Sequence, residues 1–161
     1  MLPTKISDRY EVIVVTDTSN VVYEHTNEGN NRSLDDQQIL VTVLPRPDLQ
    51  VSLITGPDSV DAGATASIEY TIINQGPVAT TSPFWTDRVW LSLDDKITQD
   101  DILVSSQSNA SALDTGEEYT NPNAISFKVP ERFRGTVYAI VMTDSGGAIE
   151  EWPNETNNIK L

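Results

Sequence analysis

The 161-residue chain contains no cysteine. That absence excludes disulfides, thiolate metal sites and a cysteine nucleophile together. A single histidine, His25, is present, so any hydrolytic triad would have to be assembled on it. Basic residues are scarce: ten Lys and Arg stand against 24 Asp and Glu, for a formal net charge of −14. Binding to nucleic acid depends on clustered Lys and Arg that displace counterions, and this balance argues against it. Anionic membranes are disfavoured for the same reason, and cations are the natural partners of such a surface. No stretch approaches the roughly 18 consecutive apolar residues of a membrane-spanning helix. The opening Met1-Leu2-Pro3-Thr4-Lys5 lacks the basic and apolar segments of an export signal, so an exported parent would make this chain an internal piece of it. What is present, 38% hydrophobic and 21% charged residues, suits a folded domain and not a disordered acidic tail.

The chain repeats itself. Residue n set beside residue n+127 aligns two segments without a gap. Pro3 falls on Pro130, Ile13 and Val14 on Ile140 and Val141, and Thr16-Asp17 on Thr143-Asp144. Glu24 meets Glu151, Asn27-Glu28 meets Asn154-Glu155, and Asn30-Asn31 meets Asn157-Asn158. So long a period implies a domain with its own core as the repeating unit, not a solenoid turn. Residues 1–44 then form the C-terminal part of a preceding repeat, and 45–161 most of the next. The second copy stops level with Leu34, so it lacks a counterpart of Gln38-Ile39-Leu40-Val41-Thr42-Val43-Leu44 as its last strand.

Short alternating or apolar runs lie between Gly, Pro, Asn and Asp clusters, the pattern of an antiparallel β-sandwich or barrel. Strands are expected at 10–16, 38–44, 48–55, 65–74, 87–93, 101–106, 124–129 and 136–143. Gly56-Pro57, Asn74-Gln75-Gly76-Pro77 and Ser145-Gly146-Gly147 are turn signals. The repeat also assigns faces. Tyr10, Val12 and Val14 match Val137, Ala139 and Val141, apolar in both copies, while the alternate set opens with Glu11 against Tyr138. Val137, Ala139 and Val141 therefore face the core.

Several segments taken in order carry a resemblance. Pro47-Asp48-Leu49-Gln50-Val51 opens the repeat, and Tyr70-Thr71-Ile72-Ile73-Asn74-Gln75-Gly76 follows. Trp85-Thr86-Asp87-Arg88-Val89-Trp90-Leu91-Ser92 and Asp101-Ile102-Leu103 come next, and Thr143-Asp144 with Asn154-Glu155-Thr156-Asn157-Asn158 closes it. Together they resemble CARDB, the cell-adhesion-related domain found in bacteria, over essentially all of 45–158 and in partial copy over 3–44. The resemblance implies an all-β, immunoglobulin-like antiparallel sandwich with a spacer or adhesive role in large surface proteins. It carries over no catalytic residue and no particular ligand.

Four constellations could carry chemistry. His25 sits in a polar loop where the other copy has Trp152, and a surface histidine is expected there, not a general base. The loop from Asp94 to Asp101 holds Asp94, Asp95, Asp100 and Asp101. It is a candidate calcium site, since calcium takes six to eight oxygens. Lys96 stands where an EF-hand would need a ligand, and the competing reading is a solvated loop paired with Arg132 and Arg134. At the opposite end of the sandwich, antiparallel pairing of 87–93 with 136–143 brings Asp87 near Asp144, with Glu150, Glu151 and Glu155 following. Asp87, Asp144, Glu150 and Glu155 form a weaker calcium candidate, set against the commoner use of Asn and Asp to build turns. Trp85, Trp90 and Trp152 could stack on sugars, although packing is the usual role of tryptophan in a small sandwich.

The expected function is a non-catalytic structural or adhesive repeat of a large extracellular protein, calcium-stabilised if either acidic cluster is a site. Its partners would be neighbouring repeats, other copies of the chain or a cell-surface protein or carbohydrate. The alternative is a module that binds carbohydrate or protein through loops at one end. The missing last strand leaves the edge of 136–143 open, and residues 38–44 of another molecule are the expected complement.

Overall fold

The computed structural model describes residues 5–121 and 123–161; the Pro3 match lies outside them. The chain divides into two compact units, at Leu44/Pro45.

In the first unit, β1 (Asp8–Tyr10) pairs antiparallel with β4 (Ile39–Val41), and β2 (Ile13–Val15) with β3 (Arg32–Leu34). The apolar run read as one strand over 10–16 is thus two, because residues 35–38 stand opposite only Glu11 and Val12 and the ladder breaks there. The ribbon has no core of its own: Val14 is 56% exposed and Leu40 59%.

The second unit stacks two antiparallel sheets. One contains β5 (Leu49–Thr55) beside β6 (Thr65–Asn74), whose other edge is covered first by β10 (Ile125–Lys128) and then by β9 (Glu118–Thr120). The other runs β12 (Ile159–Lys160), β11 (Tyr138–Met142), β7 (Phe84–Ser92) and β8 (Ile102–Ala110). No helix occurs among the described residues, and the all-β sandwich expected from the turn spacing is what forms. Alternation explains the layering. Ala66, Ile68, Tyr70 and Ile72 of β6 point inward, as do Trp85, Val89 and Leu91 of β7. Val141 joins the main core, with Ala139 packed against it and Val137 against a smaller cluster of Ala66, Leu91, Val129 and Phe133. The face assigned to Val137, Ala139 and Val141 is the inner one.

Two short strands have no apolar run to announce them. Glu118–Thr120 extends the edge begun by β10, and Ile159–Lys160 pairs with Met142 and Val141. The upper edge of 136–143, expected to be bare, is therefore covered over two residues by the chain's own end. Lys160 Nζ also donates to the Ser52 carbonyl and ties this strand to β5.

The turn after β6 is fixed by a side chain. Asn74 is fully buried, and its Oδ1 accepts from the N–H of Asp48 and of Gly76, each at 3.0 Å. Its Nδ2 donates to the carbonyls of Val78 (2.8 Å) and Leu113 (3.2 Å). All four hydrogen-bonding positions of the amide are filled, which is what a buried amide requires. The turn lies so close to the start of β5 that a Cβ on Gly76 would stand 2.5 Å from the Arg46 carbonyl and 2.6 Å from Asp48 N. Backbone cannot yield as a side chain can. Gly76→Ala should therefore lower stability in urea unfolding by about 1–3 kcal/mol, whereas Gly146→Ala, with nothing within 4 Å, should be near neutral. Equal midpoints for the two variants would remove this account of the turn.

Candidate functional site

The polar residues of the second unit gather in three places. The first lies between the sheets. Asp87 on β7 is 1% exposed, and the antiparallel register sets it beside the end of β11, as Met142 pairs Arg88. Thr143 Oγ1 donates to it at 2.8 Å and Tyr70 Oη at 3.4 Å, and Tyr119 Oη donates as well. Loss of water pushes the Asp87 carboxyl above the usual carboxylate range, and the hydrogen bonds from Tyr119, Thr143, the Asp144 amide and Tyr70 pull against that. Burial, reinforced by the Asp87 charge, raises both phenols in turn. The phenols thus stay protonated donors. Asp87 is a hub joining β6, β7, β9 and the loop after β11. Its lone pairs are directed at hydroxyls, not at an open cation position.

The second place is the loop from Thr143 to Asn158. Asp144 holds a left-handed backbone (φ 42°), a conformation that Asp and Asn tolerate better than most residues. Its two carboxylate oxygens accept from the N–H of Ala148 and of Ile149, both at 2.8 Å. Glu155 Oε1 accepts from the Glu151 N–H at 2.9 Å. Glu150 reaches outward to Arg46 at 3.3 Å. Glu151, 1% exposed, turns inward: its carboxylate accepts from the Leu49 N–H at the start of β5 and from Asn158 Nδ2. Next to it, Asn157 Nδ2 donates to Asp48 Oδ1 at 2.9 Å. The four residues proposed as a weaker cation set, Asp144 among them, therefore have separate tasks. Asp87 faces the core, Asp144 and Glu155 cap turns, and Glu150 pairs with an arginine.

The same loop bonds recur 127 residues earlier, in the first unit. Asp17 (φ 41°) accepts from Val21 and Val22 N–H at 2.8 and 3.0 Å. Glu28 Oε1 accepts from the Glu24 N–H. Thr16 N–H donates to the Asn31 carbonyl at 2.9 Å, as Thr143 N–H does to that of Asn158 at 3.0 Å.

The third place is the loop of 94–101, after β7. Asp94 Oδ1 accepts from the Lys96 N–H at 2.9 Å, and Asp101 Oδ2 from the Thr98 N–H at 2.5 Å. Hydrogen bonds from Ser92 and Thr98 hold Asp101 below the usual carboxylate range. Asp94, Asp100 and Asp101 line one shallow pocket with Ser92, Thr98 and Arg132, so the arginine does approach as expected, though without an ion pair; Asp95 lies outside that lining. The guanidinium of Arg134 is directed instead at the carbonyls of Glu131 and Phe133. Among the described residues no three His, Asp or Glu converge as a metal-holding group.

The tryptophans form no shared platform. Trp85 is buried against Tyr119, ring centres 6.2 Å apart, while Trp90 and Trp152 are half-buried. His25 lies exposed, edge-on to Tyr23. What sequence reasoning missed is Glu151 itself, named there only as one acid of a loop. The signal that could have found it was its match with Glu24 beside an apolar Ile149.

Burial raises the Glu151 carboxyl to about 7, from 4.5. A folded-state value above the unfolded one means that this group leaves stability intact below about pH 4.5 and takes it away as pH rises through 7. Equilibrium unfolding should show stability falling across that window. Glu151→Gln should flatten the fall, since Gln still accepts from Leu49 and its amide can donate to Asn158 Oδ1, which has no partner. An identical slope in the variant would show that Glu151 does not titrate there.

A family model, CARDB, matches residues 46–161. No curated protein matches. Among solved structures, a solution NMR structure of the CARDB domain of a Pyrococcus furiosus protein is 25% identical. Its TM-score is 0.52, covering 72% of this chain and 91% of that one. A crystal structure of the same domain in complex with di-metal ions is 24% identical, with a TM-score of 0.49 over 73% and 91%. With the match spanning all but the first residue of the second unit, the chain belongs to the CARDB family.

Proposed function

We propose that the chain is a non-catalytic repeat module of a large extracellular surface protein, spacing or presenting an adhesive element carried elsewhere. The recurrence of one hydrogen-bond set at Asp17 and at Asp144, 127 residues apart, carries this reading. A loop rebuilt bond for bond at a domain-sized interval is the mark of tandem domains, and arrays of such domains set distance. The polar centres support it further. Asp87, Asp144 and Glu151 are engaged by hydroxyls, backbone amides and the Asn158 side chain, and the sole histidine lies exposed, edge-on to Tyr23. Pulling the chain by its two ends should give one cooperative unfolding event with the contour length of 45–161, and a glycan panel should give no saturable binding. Saturable binding to one glycan class, lost on Trp152→Ala, would replace the spacer by the carbohydrate-binding reading.

Calcium would act on such a module through the loop of 94–101, where Asp94, Asp100 and Asp101 share a pocket with two hydroxyls. A ligand that binds only the folded state raises its melting temperature. If this loop is a site, millimolar calcium raises melting over EDTA, and Asp100→Asn with Asp101→Asn cancels the rise. Equal melting in calcium and EDTA leaves a solvated acidic loop.

A further inference from the structure

A long free edge lies in the middle of the second unit's sequence. β8 pairs with β7 over Phe84 to Leu91 and has no strand on its other side among the described residues. The loops before and after β8 belong to the unit itself, so this edge is a property of the topology and not of a terminus. Edge strands of stable folds are commonly guarded by lysine, proline or other charged side chains. β8 carries none of these, and its uncharged run continues to Leu113. Its one irregularity is a bulge at Val104, between the Val89–Ser105 and Trp90–Leu103 pairs, which leaves Ser105–Ala110 as regular ladder.

The side of the sandwich behind this edge is neutral as well. Cross-strand partners share a face, so Ser105, Gln107 and Asn109 turn inward beside Val89, Asp87 and Trp85. They border a groove of about 470 Å³ between β8 and the β9–β10 edge, and no residue lining it is charged. Elsewhere acids dominate, with 24 Asp and Glu against ten Lys and Arg. Two copies of so acidic a molecule repel one another wherever their surfaces carry that excess. Along β8 they meet without opposing charges.

We infer that β8 is a docking edge for β8 of a second copy of this chain, antiparallel about a two-fold axis. Such an isologous contact needs a strand that matches itself when reversed. Centred on Gln107, the middle of Ser105–Asn109, the pairing sets Gln107 opposite its own copy, Ser106 opposite Ser108 and Ser105 opposite Asn109. Every pair joins hydroxyl or amide side chains that hydrogen-bond across a ladder, as Ser67 and Ser126 do between β6 and β10 at 2.7 Å. The free N–H and C=O groups of the edge find partners at the same time. The acids that bound the run, Asp101 and Asp114, approach one another only at the two ends, where salt screens them. A single edge contact is small and therefore weak; along an array of repeats such contacts reinforce one another. The inference goes beyond the spacer role, which stands if the chain proves monomeric.

The test is light scattering of the full chain after size exclusion, from micromolar to millimolar concentration. It is run at about 0.1 M and about 1 M NaCl, between which the Debye length falls from about 10 Å to about 3 Å. Wild type should dimerise, more tightly at the higher salt. Ser106→Lys with Ser108→Lys puts lysine opposite lysine in both symmetry-related pairs, and Ser106→Glu with Ser108→Glu does the same with glutamate. Both serines are exposed, so each variant should keep the wild-type melting temperature while its dimer dissociation constant rises about tenfold or more. The lysine variant should weaken even though it lowers the net negative charge, the opposite of what general repulsion predicts. Mixing the two variants sets lysine opposite glutamate in every such pair and should restore a 1:1 dimer. Wild type that is monomeric under all these conditions overturns the inference. So does a dimer that loosens in high salt, association unchanged in both variants, or a mixture in which the variants stay apart.

Discussion

The buried carboxylate of Glu151 is the constraint on which the second unit depends. It accepts from the amide that starts β5 and from the amide side chain of Asn158, just before β12. The first strand of the domain and its last loop, 102 residues apart in sequence, are thereby held in one place. Arg46 with Glu150, Asn157 with Asp48 and Lys160 with the Ser52 carbonyl run along the same seam. A buried carboxylate is unfavourable unless its lone pairs are met, and here each oxygen meets a donor from a different part of the chain. The arrangement is selective because a misplaced β5 would leave that charge unpaired.

The same logic recurs at each junction of the sandwich. Asn74 closes the turn after β6 on four backbone groups, Asn121 Oδ1 accepts from the Tyr70 N–H at 2.6 Å, and Asp87 collects three hydroxyls. These groups are buried because a domain of this size has few apolar side chains to spare for its loop ends. Polar side chains that satisfy backbone amides do there what hydrophobic contacts do in the middle of the sheets. Each such residue is highly specific in geometry, and each is costly if its partner is removed.

This division explains what could be read from the sequence. Alternation along β6 and β11 exposed the inner face, because period two has one meaning in a sheet with one dry side. The turn signals at Asn74-Gln75-Gly76-Pro77 were legible because glycine and asparagine serve few purposes at such spacing. By contrast β9 and β12, three and two residues long, carry too short a pattern to differ from loop; they are strands only because an edge is waiting. The acids between Asp144 and Glu155 looked like one cluster in sequence. Their separation is a matter of rotamers and of partners distant in the chain, Leu49 and Asn158 for Glu151, Arg46 for Glu150. Spacing alone does not encode those.

The two units together separate local from global coding. The loop bonds of Asp17 and Glu28 span four or five residues, and they form in the first unit as in the second. Local side-chain to backbone bonds of this kind need no core. The carboxylates that reach further differ. Glu24, which matches Glu151, has an Oε2 without a partner, and no strand among the first unit's described residues corresponds to β5. Likewise Val14 is exposed where Val141 is fully buried. The sequence of the loop thus determines its shape by itself, while the burial of Glu151 and Val141 is conferred by the rest of the sandwich. A loop built this way keeps its geometry wherever its local bonds form, because only the parts that depend on the core need complementary strands beside them.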